Sequence, residues 1–266
     1  MQHNHSGAHS EQPFIAHLIE LRDRLLKAIL CVALACLPLA YYANELYSFL
    51  AGPLLQYMPK NSTMVAIDVV SPFLTPFKLA LITAVFASIP VIFYQFWACV
   101  APGLYRHERR LVFPLLIAST VLFYVGVAFV YYLVLPSLFK FLTTTAPVGV
   151  AVMTDISKYL DFVLTLFFAF GAAFQVPVIT IVMVWMGVMT PESLAEKRSY
   201  IIVGAFVIAM FLTPPDAISQ TMLAIPMWLL FEIGLFFSRF WVARESSSEH
   251  AMTARFDSIE RQEDDA

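Results

Sequence analysis

Few residues in this chain are equipped for chemistry, and the most informative are acids placed among cations. Glu108 stands inside Tyr105-Arg106-His107-Glu108-Arg109-Arg110. Anchoring by positive charge explains the arginines of that loop but not the acid, which either neutralises its neighbours or waits for a cationic partner. Glu20 precedes Arg24 by four residues, and Asp23 precedes Lys27 by four. This is the spacing of ordinary intrahelical pairs worth a few tenths of a kcal/mol. Phe14, Leu18, Leu21 and Leu25 mark one apolar stripe of the same helix, which predicts that it lies against a membrane surface.

Other chemistries find no support. Cys31, Cys36 and Cys99 all fall inside apolar runs, where cysteine behaves as a small hydrophobe. No histidine lies within an apolar run, which removes the usual axial ligands of a membrane-embedded haem. His3, His5 and His9 belong to a polar, unanchored terminus. There is no Gly-rich phosphate loop, metal-ligand motif or Ser/His/Asp constellation. No enzyme active site and no cofactor is therefore expected, and nothing points to nucleic acid.

The scaffold that must carry these residues is set by composition. Of 266 residues 60% are apolar and 13% charged, against about 25% charged in soluble domains. Runs such as Leu79 to Tyr105, Leu111 to Phe139 and Phe162 to Pro191 exceed the roughly 20 residues that cross a bilayer core. They are apolar on every face, which excludes the alternating pattern of a spanning β-barrel. The expected fold is an all-α polytopic membrane protein of six helices, near 26–43, 78–101, 111–135, 160–187, 199–213 and 217–237. Arg22, Arg24 and Lys27 before an apolar stretch invite a signal-peptide reading. The helical pattern of the leading segment and the lack of a small-residue cleavage site argue against it.

Charge sets the expected orientation. Arg22, Arg24, Lys27, Arg106, Arg109, Arg110, Lys197, Arg198, Arg239, Arg244, Arg255 and Arg261 fall on one side, with Lys60, Lys78, Lys140 and Lys158 opposite. Both termini are then cytoplasmic. Spans five and six are short: about 15 residues at about 1.5 Å each reach roughly 22 Å, less than a core of about 30 Å. Between them Thr213 reads as an N-cap, Pro214 as the first helical residue and Asp216 as the acidic partner of a capping box. Pro38, Pro90, Pro114, Pro177 and Pro226 should bend their spans. Residues 44–75 and 136–159 are loops long enough for short helices, and 1–243 forms one membrane domain. Residues 244–266 are Ser-rich and acidic, which predicts a disordered cytoplasmic tail.

No span carries a charged residue near its middle, although ion-coupled carriers need such groups. The deepest polar group is Gln175, in Phe174-Gln175-Val176-Pro177. Its amide either satisfies a carbonyl freed by Pro177 or holds a neighbouring helix or partner, an interaction worth about 0.6–2 kcal/mol. A small-solute secondary transporter or channel remains the alternative class; it explains the helix count but not the missing intramembrane charge.

Taken in order, the motifs resemble the TatC family, the multispanning subunits of the twin-arginine protein translocase. The resemblance runs from about Pro13 to Phe240. It includes His17-Leu18-Ile19-Glu20-Leu21-Arg22, Ser71-Pro72-Phe73-Leu74-Thr75-Pro76 and Ala101-Pro102-Gly103-Leu104-Tyr105-Arg106-His107-Glu108-Arg109-Arg110. Thr213-Pro214-Pro215-Asp216, Ser219-Gln220 and Ala224-Ile225-Pro226 complete it.

The resemblance implies a receptor in the bacterial inner membrane that binds signal peptides with paired arginines. It implies proton-gradient-driven transport of folded proteins, in an oligomeric complex with single-span partners of the TatA and TatB type. Glu20 and Glu108 look like the carboxylates that receive the arginines, with Arg22 in the same motif. A carboxylate accepts two parallel hydrogen bonds from a guanidinium, a planar fork that lysine lacks. Pro53, Phe73, Asp216 and Gln220 match positions of structure and assembly, and Met210 and Thr213 are similar to partner-docking positions. Many relatives carry Glu where this chain has Gln175, which can bridge helices but cannot take up a proton.

Overall fold

The computed structural model describes residues 8–57, 64–100, 112–145, 154–213 and 217–264. The regular elements are helices: α1 (Ala8–Tyr41), α2 (Ala43–Tyr57), α3 (Ser71–Ala87), α4 (Ile89–Val100), α5 (Val112–Phe129), α6 (Leu135–Thr145), α7 (Ile156–Ala173), α8 (Val176–Trp185), α9 (Pro191–Glu196), α10 (Arg198–Leu212) and α11 (Ala217–Asp264). A π turn over Val130–Val134 joins α5 to α6.

Among the described residues, four helical stretches have the length and apolar character to cross a bilayer: Ile19–Tyr41, Phe113–Phe141, Ile156–Trp185 and Ala217–Phe240. The pair α3 and α4 makes a fifth if its 47° bend is counted inside one span, and the apolar α10 has only 15 residues. All six expected runs are helical. Length and composition by themselves qualify four or five of them as crossings.

The bends have local causes. At the α3/α4 break the Ser88 amide donates back to the Ala84 and Val85 carbonyls, at 3.0 and 3.1 Å. Pro90 follows two residues later and has no amide hydrogen to donate. Pro177 sits in the first turn of α8, where that lack costs nothing. The expected surface helix and first span are one continuous helix, α1, because no Gly or Pro interrupts the chain between Phe14 and Leu37. Helical backbone likewise continues to Asp264, through the segment whose composition predicts disorder. No Gly or Pro follows Gly234 to stop propagation from the apolar span.

The chain divides into two compact units, Met1–Tyr124 with Ala128–Phe167, and Val125–Val127 with Phe168–Ala266. In the first, α1 packs along α3 and α4, and α2 packs against α3 and α6. Phe123 is buried edge-on against both Phe86 and Phe93, with centroids 5.4 and 6.0 Å apart.

A clasp joins residues 64–67 to the start of α7. The Val65 amide donates to the Thr154 carbonyl and the Ile156 amide to the Val65 carbonyl, both at 3.0 Å. Asp155 Oδ1 caps α7 by accepting from the Ser157 and Lys158 amides, while Oδ2 accepts from the Ile67 amide. Hydrogen bonds from the Lys158 and Ile67 amides hold the Asp155 carboxyl below the usual carboxylate range. Tyr47 on α2 reaches the Ile156 carbonyl at 3.5 Å, and burial, aided by the Asp155 charge, pushes its hydroxyl up to about 12.

In the second unit α11 packs against α8, α9 and α10. Gly234 permits the closest approach: a Cβ there would lie 2.7 Å from Pro177 Cα and 3.2 Å from Thr180 Cβ. Leu194, Phe231 and Leu235 form a buried cluster ringed by Val176, Val184, Met189, Ala195 and Ile201.

Candidate functional site

Glu20 sits at the start of the apolar part of α1, about half exposed. One turn later Arg24 donates to Glu20 Oε1 through Nε at 3.1 Å and Nη2 at 2.5 Å. The spacing therefore places the pair as expected. Arg24 is itself mostly enclosed, at 22% exposure, and its Nη1 reaches Gln95 Oε1 on α4 at 3.4 Å. Two residues on, the buried Trp97 Nε1 donates to Ser119 Oγ of α5 at 3.1 Å. Gln95 thus belongs to a helix whose end is tied down, and Glu20 is carried on a surface braced by side chains from α1 and α4.

Gln95 was not legible as part of this site. It is an uncharged residue inside an apolar run, 71 positions from Arg24, and no local spacing relates the two. Asp23 also differs from expectation, because it accepts from Arg22 Nε and Nη2 at 3.0 and 2.8 Å in place of pairing with Lys27. An adjacent exposed arginine reaches the carboxylate with two donors, whereas lysine offers a single point charge. Glu108 lies outside the described residues, as do Arg106, Arg109, Arg110 and Asp216.

The assembly and docking candidates are dispersed. Pro53 falls within α2, Phe73 is 75% exposed in the first turn of α3, and Gln220 is half-buried on α11. Met210 is exposed on α10 beside Phe206 and Phe211, whereas Thr213 is buried. The N-cap expected at Thr213 depends on residues 214–216, which lie outside the described residues. Thr213 itself closes α10, its Oγ1 donating to the Ala209 carbonyl at 2.9 Å. A threonine hydroxyl in a last turn can satisfy the carbonyl one turn back in this way.

Gln175 occupies the break between α7 and α8. Its backbone N–H donates to the Ala172 carbonyl at 3.0 Å, and its backbone carbonyl accepts from the Ile179 N–H at 2.9 Å. Between α10 and α11 lies an apolar cleft of about 110 Å³ lined by Ile202, Phe206, Ala224, Ile225 and Trp228.

Two interhelical ion pairs were also hidden in the sequence: Lys78 with Asp161 at 2.5 Å and Arg198 with Glu232 at 2.8 Å. The first ties α3 to α7 and the second ties the start of α10 to α11. Among the described residues, no group of three or more His, Cys, Asp or Glu is arranged to hold a metal ion.

The chain as a whole is similar to known proteins. Residues 16–226 match the family model described as Sec-independent protein translocase protein (TatC). The chain is 56% identical over 238 residues to the Sec-independent protein translocase protein TatC of Escherichia coli strain K12, covering 90% of this chain and 92% of that one. It is 54% identical over 243 residues to the protein of that name from Haemophilus influenzae, covering 91% and 95%. A crystal structure of the twin-arginine translocase receptor TatC aligns with a TM-score of 0.74 at 37% identity, over 84% of this chain and 98% of that one. The family model covers most of the chain and these relatives match it nearly end to end; the chain belongs to the TatC family of Sec-independent protein translocase proteins.

Proposed function

We propose that this chain is the signal-receptor subunit of a twin-arginine translocase in a bacterial cytoplasmic membrane, crossing it six times with both termini inside. Glu20 and Glu108 together receive the arginine pair of a signal peptide, with Arg22 at the edge of the site. Single-span partners of the TatA and TatB type dock on the exposed face of α10 around Met210, with Thr213 closing that helix and Gln175 supplying a half-buried amide contact. Pro53, Phe73, Asp216 and Gln220 serve structure and assembly on the external side.

The observation that carries this reading is the Glu20–Arg24–Gln95 arrangement. It presents a carboxylate already engaged with a guanidinium, on a surface braced by α4, from whose end the chain runs on toward Glu108. An incoming guanidinium can make the same paired hydrogen bonds to Glu20, while Arg24 keeps its contact with Gln95 Oε1.

The test is site-specific photocrosslinking of a labelled twin-arginine signal peptide to membranes containing this protein. Crosslinks should form at positions flanking Glu20 and be weakened in Glu20→Gln. Crosslinking that persists unchanged in Glu20→Gln would remove Glu20 from the site.

A further inference from the structure

Prolines inside the helices of the first unit withhold an amide from the carbonyl four residues back, and two of those carbonyls share one kind of substitute donor. In α2 the carbonyl is that of Phe49 and the proline is Pro53; at the α3/α4 bend they are Phe86 and Pro90. Proline has no N–H, and its ring crowds the carbonyl one turn back. A carbonyl without that donor is satisfied by another group or by water.

Each of these carbonyls is met by a tyrosine hydroxyl from the same neighbouring span. Tyr131 Oη donates to Phe49 O at 2.9 Å, and Tyr124 Oη donates to Phe86 O at 2.9 Å. The rings reinforce the match. Phe49 and Tyr131 stack with centroids 5.0 Å apart and planes 9° from parallel. Phe86 and Tyr124 both pack edge-on against the buried Phe123. The two tyrosines stand seven positions apart, about two helical turns, and so share a face. The π turn starts just before Tyr131, with the Leu135 amide donating to the Val130 carbonyl. Such turns recur where a helix must re-aim side chains. The next carbonyl of α2, that of Leu50, accepts from the buried Tyr159 at 2.7 Å.

We propose that Tyr124 and Tyr131 are positioning residues, each supplying the hydrogen bond that Pro90 or Pro53 withholds. Tyr131 thereby seats α2, the helix that carries the assembly candidate Pro53. Tyr124 sets the bend that aims α4, and with it Gln95, at Arg24 and Glu20. The consequence for signal binding rests on the receptor reading above; the hydrogen-bond substitution does not.

Two matched double-mutant cycles test it on the full chain in detergent and in membranes: Tyr131→Phe with Pro53→Ala, and Tyr124→Phe with Pro90→Ala. Alanine restores the amide donor, so the hydroxyl becomes redundant only in its own pair. Each Tyr→Phe change alone should lower the melting temperature by about 2–4 °C. It should do almost nothing beside its matched Pro→Ala, and should add fully to the crossed one. Tyr124→Phe should also weaken signal-peptide binding about fivefold, an effect that Pro90→Ala relieves. A Phe variant indistinguishable from the parent, or equal losses in matched and crossed pairs, would overturn the proposal whatever the Pro→Ala variants do alone. Matched coupling in melting without any change in signal binding would uphold the hydrogen bonds and overturn the link to Glu20.

Discussion

Arg24 holds Glu20 through two contacts to a single carboxylate oxygen, Nε at 3.1 Å and Nη2 at 2.5 Å. With Glu20 about half exposed, such a pair is worth about 0–1 kcal/mol after solvent screening, little enough to be exchanged. Arg24→Gln should therefore change twin-arginine signal affinity less than about fivefold, whereas Glu20→Gln should lower it further. Equilibrium binding of a fluorescent signal peptide measures both. A larger loss from Arg24→Gln than from Glu20→Gln would make Arg24 the recognition group.

Gly234 sets the spacing of α8 and α11. Adding a Cβ 2.7 Å from Pro177 Cα forces backbone to move, and overpacking of this kind costs about 1–3 kcal/mol. Gly234→Ala should lower the melting temperature in detergent. Gly204→Ala on α10, where a new Cβ meets nothing within 4 Å, should leave it unchanged or raise it.

The clasp at Asp155 should be acid-sensitive and otherwise insensitive to pH. Its folded pKa is depressed, so its stabilisation is fully present above the ordinary carboxylate value of about 3.9. It is lost only as pH falls through the lower folded value. Amide exchange of Ile67 and Lys158 should stay slow from neutral pH to mild acid and accelerate below that range. For Tyr47 the sign is reversed. With the folded hydroxyl raised to about 12, its contribution is intact below about 10 and declines above that. A tyrosinate absorbance titration compared with Tyr47→Phe should show the missing step near the raised value.

The shortness of α10 carries a prediction about assembly. Its 15 residues reach roughly 22 Å, and a short apolar helix thins the bilayer around it. Inserting about four Leu residues should extend it to roughly 28 Å and weaken crosslinking of single-span partners to Met210. Undiminished crosslinking and transport would make the shortness incidental.

The helices were legible wherever hydrophobicity alone decides them. Long runs free of charge leave no other way to satisfy a backbone in lipid, and Pro90 and Pro177 marked breaks that the structure has. Pairings across the fold were not legible. Nothing local points from Gln95 or Asp161 to their partners, Arg24 and Lys78, which stand 71 and 83 positions away. Thr213 closes α10 through its hydroxyl, a role its sequence neighbours do not announce because a hydroxyl between two helices can close the first or open the second. The π turn at Val130–Val134 has one local signal, Pro136 two residues on, which removes an amide donor but does not specify a widened turn.

The central claim is that Glu20 and Glu108 form one acidic site that reads arginine in particular. The most direct measurement is signal-peptide affinity in a double-mutant cycle, with Glu20→Gln, Glu108→Gln and both together, each against an Arg-Arg and a Lys-Lys signal. Each single change should weaken the Arg-Arg signal more than the Lys-Lys signal, because only guanidinium offers the paired donors, and the double change should abolish Arg-Arg binding while the helices still insert. Equal losses for arginine and lysine signals would contradict the account and leave these carboxylates as a general negative charge.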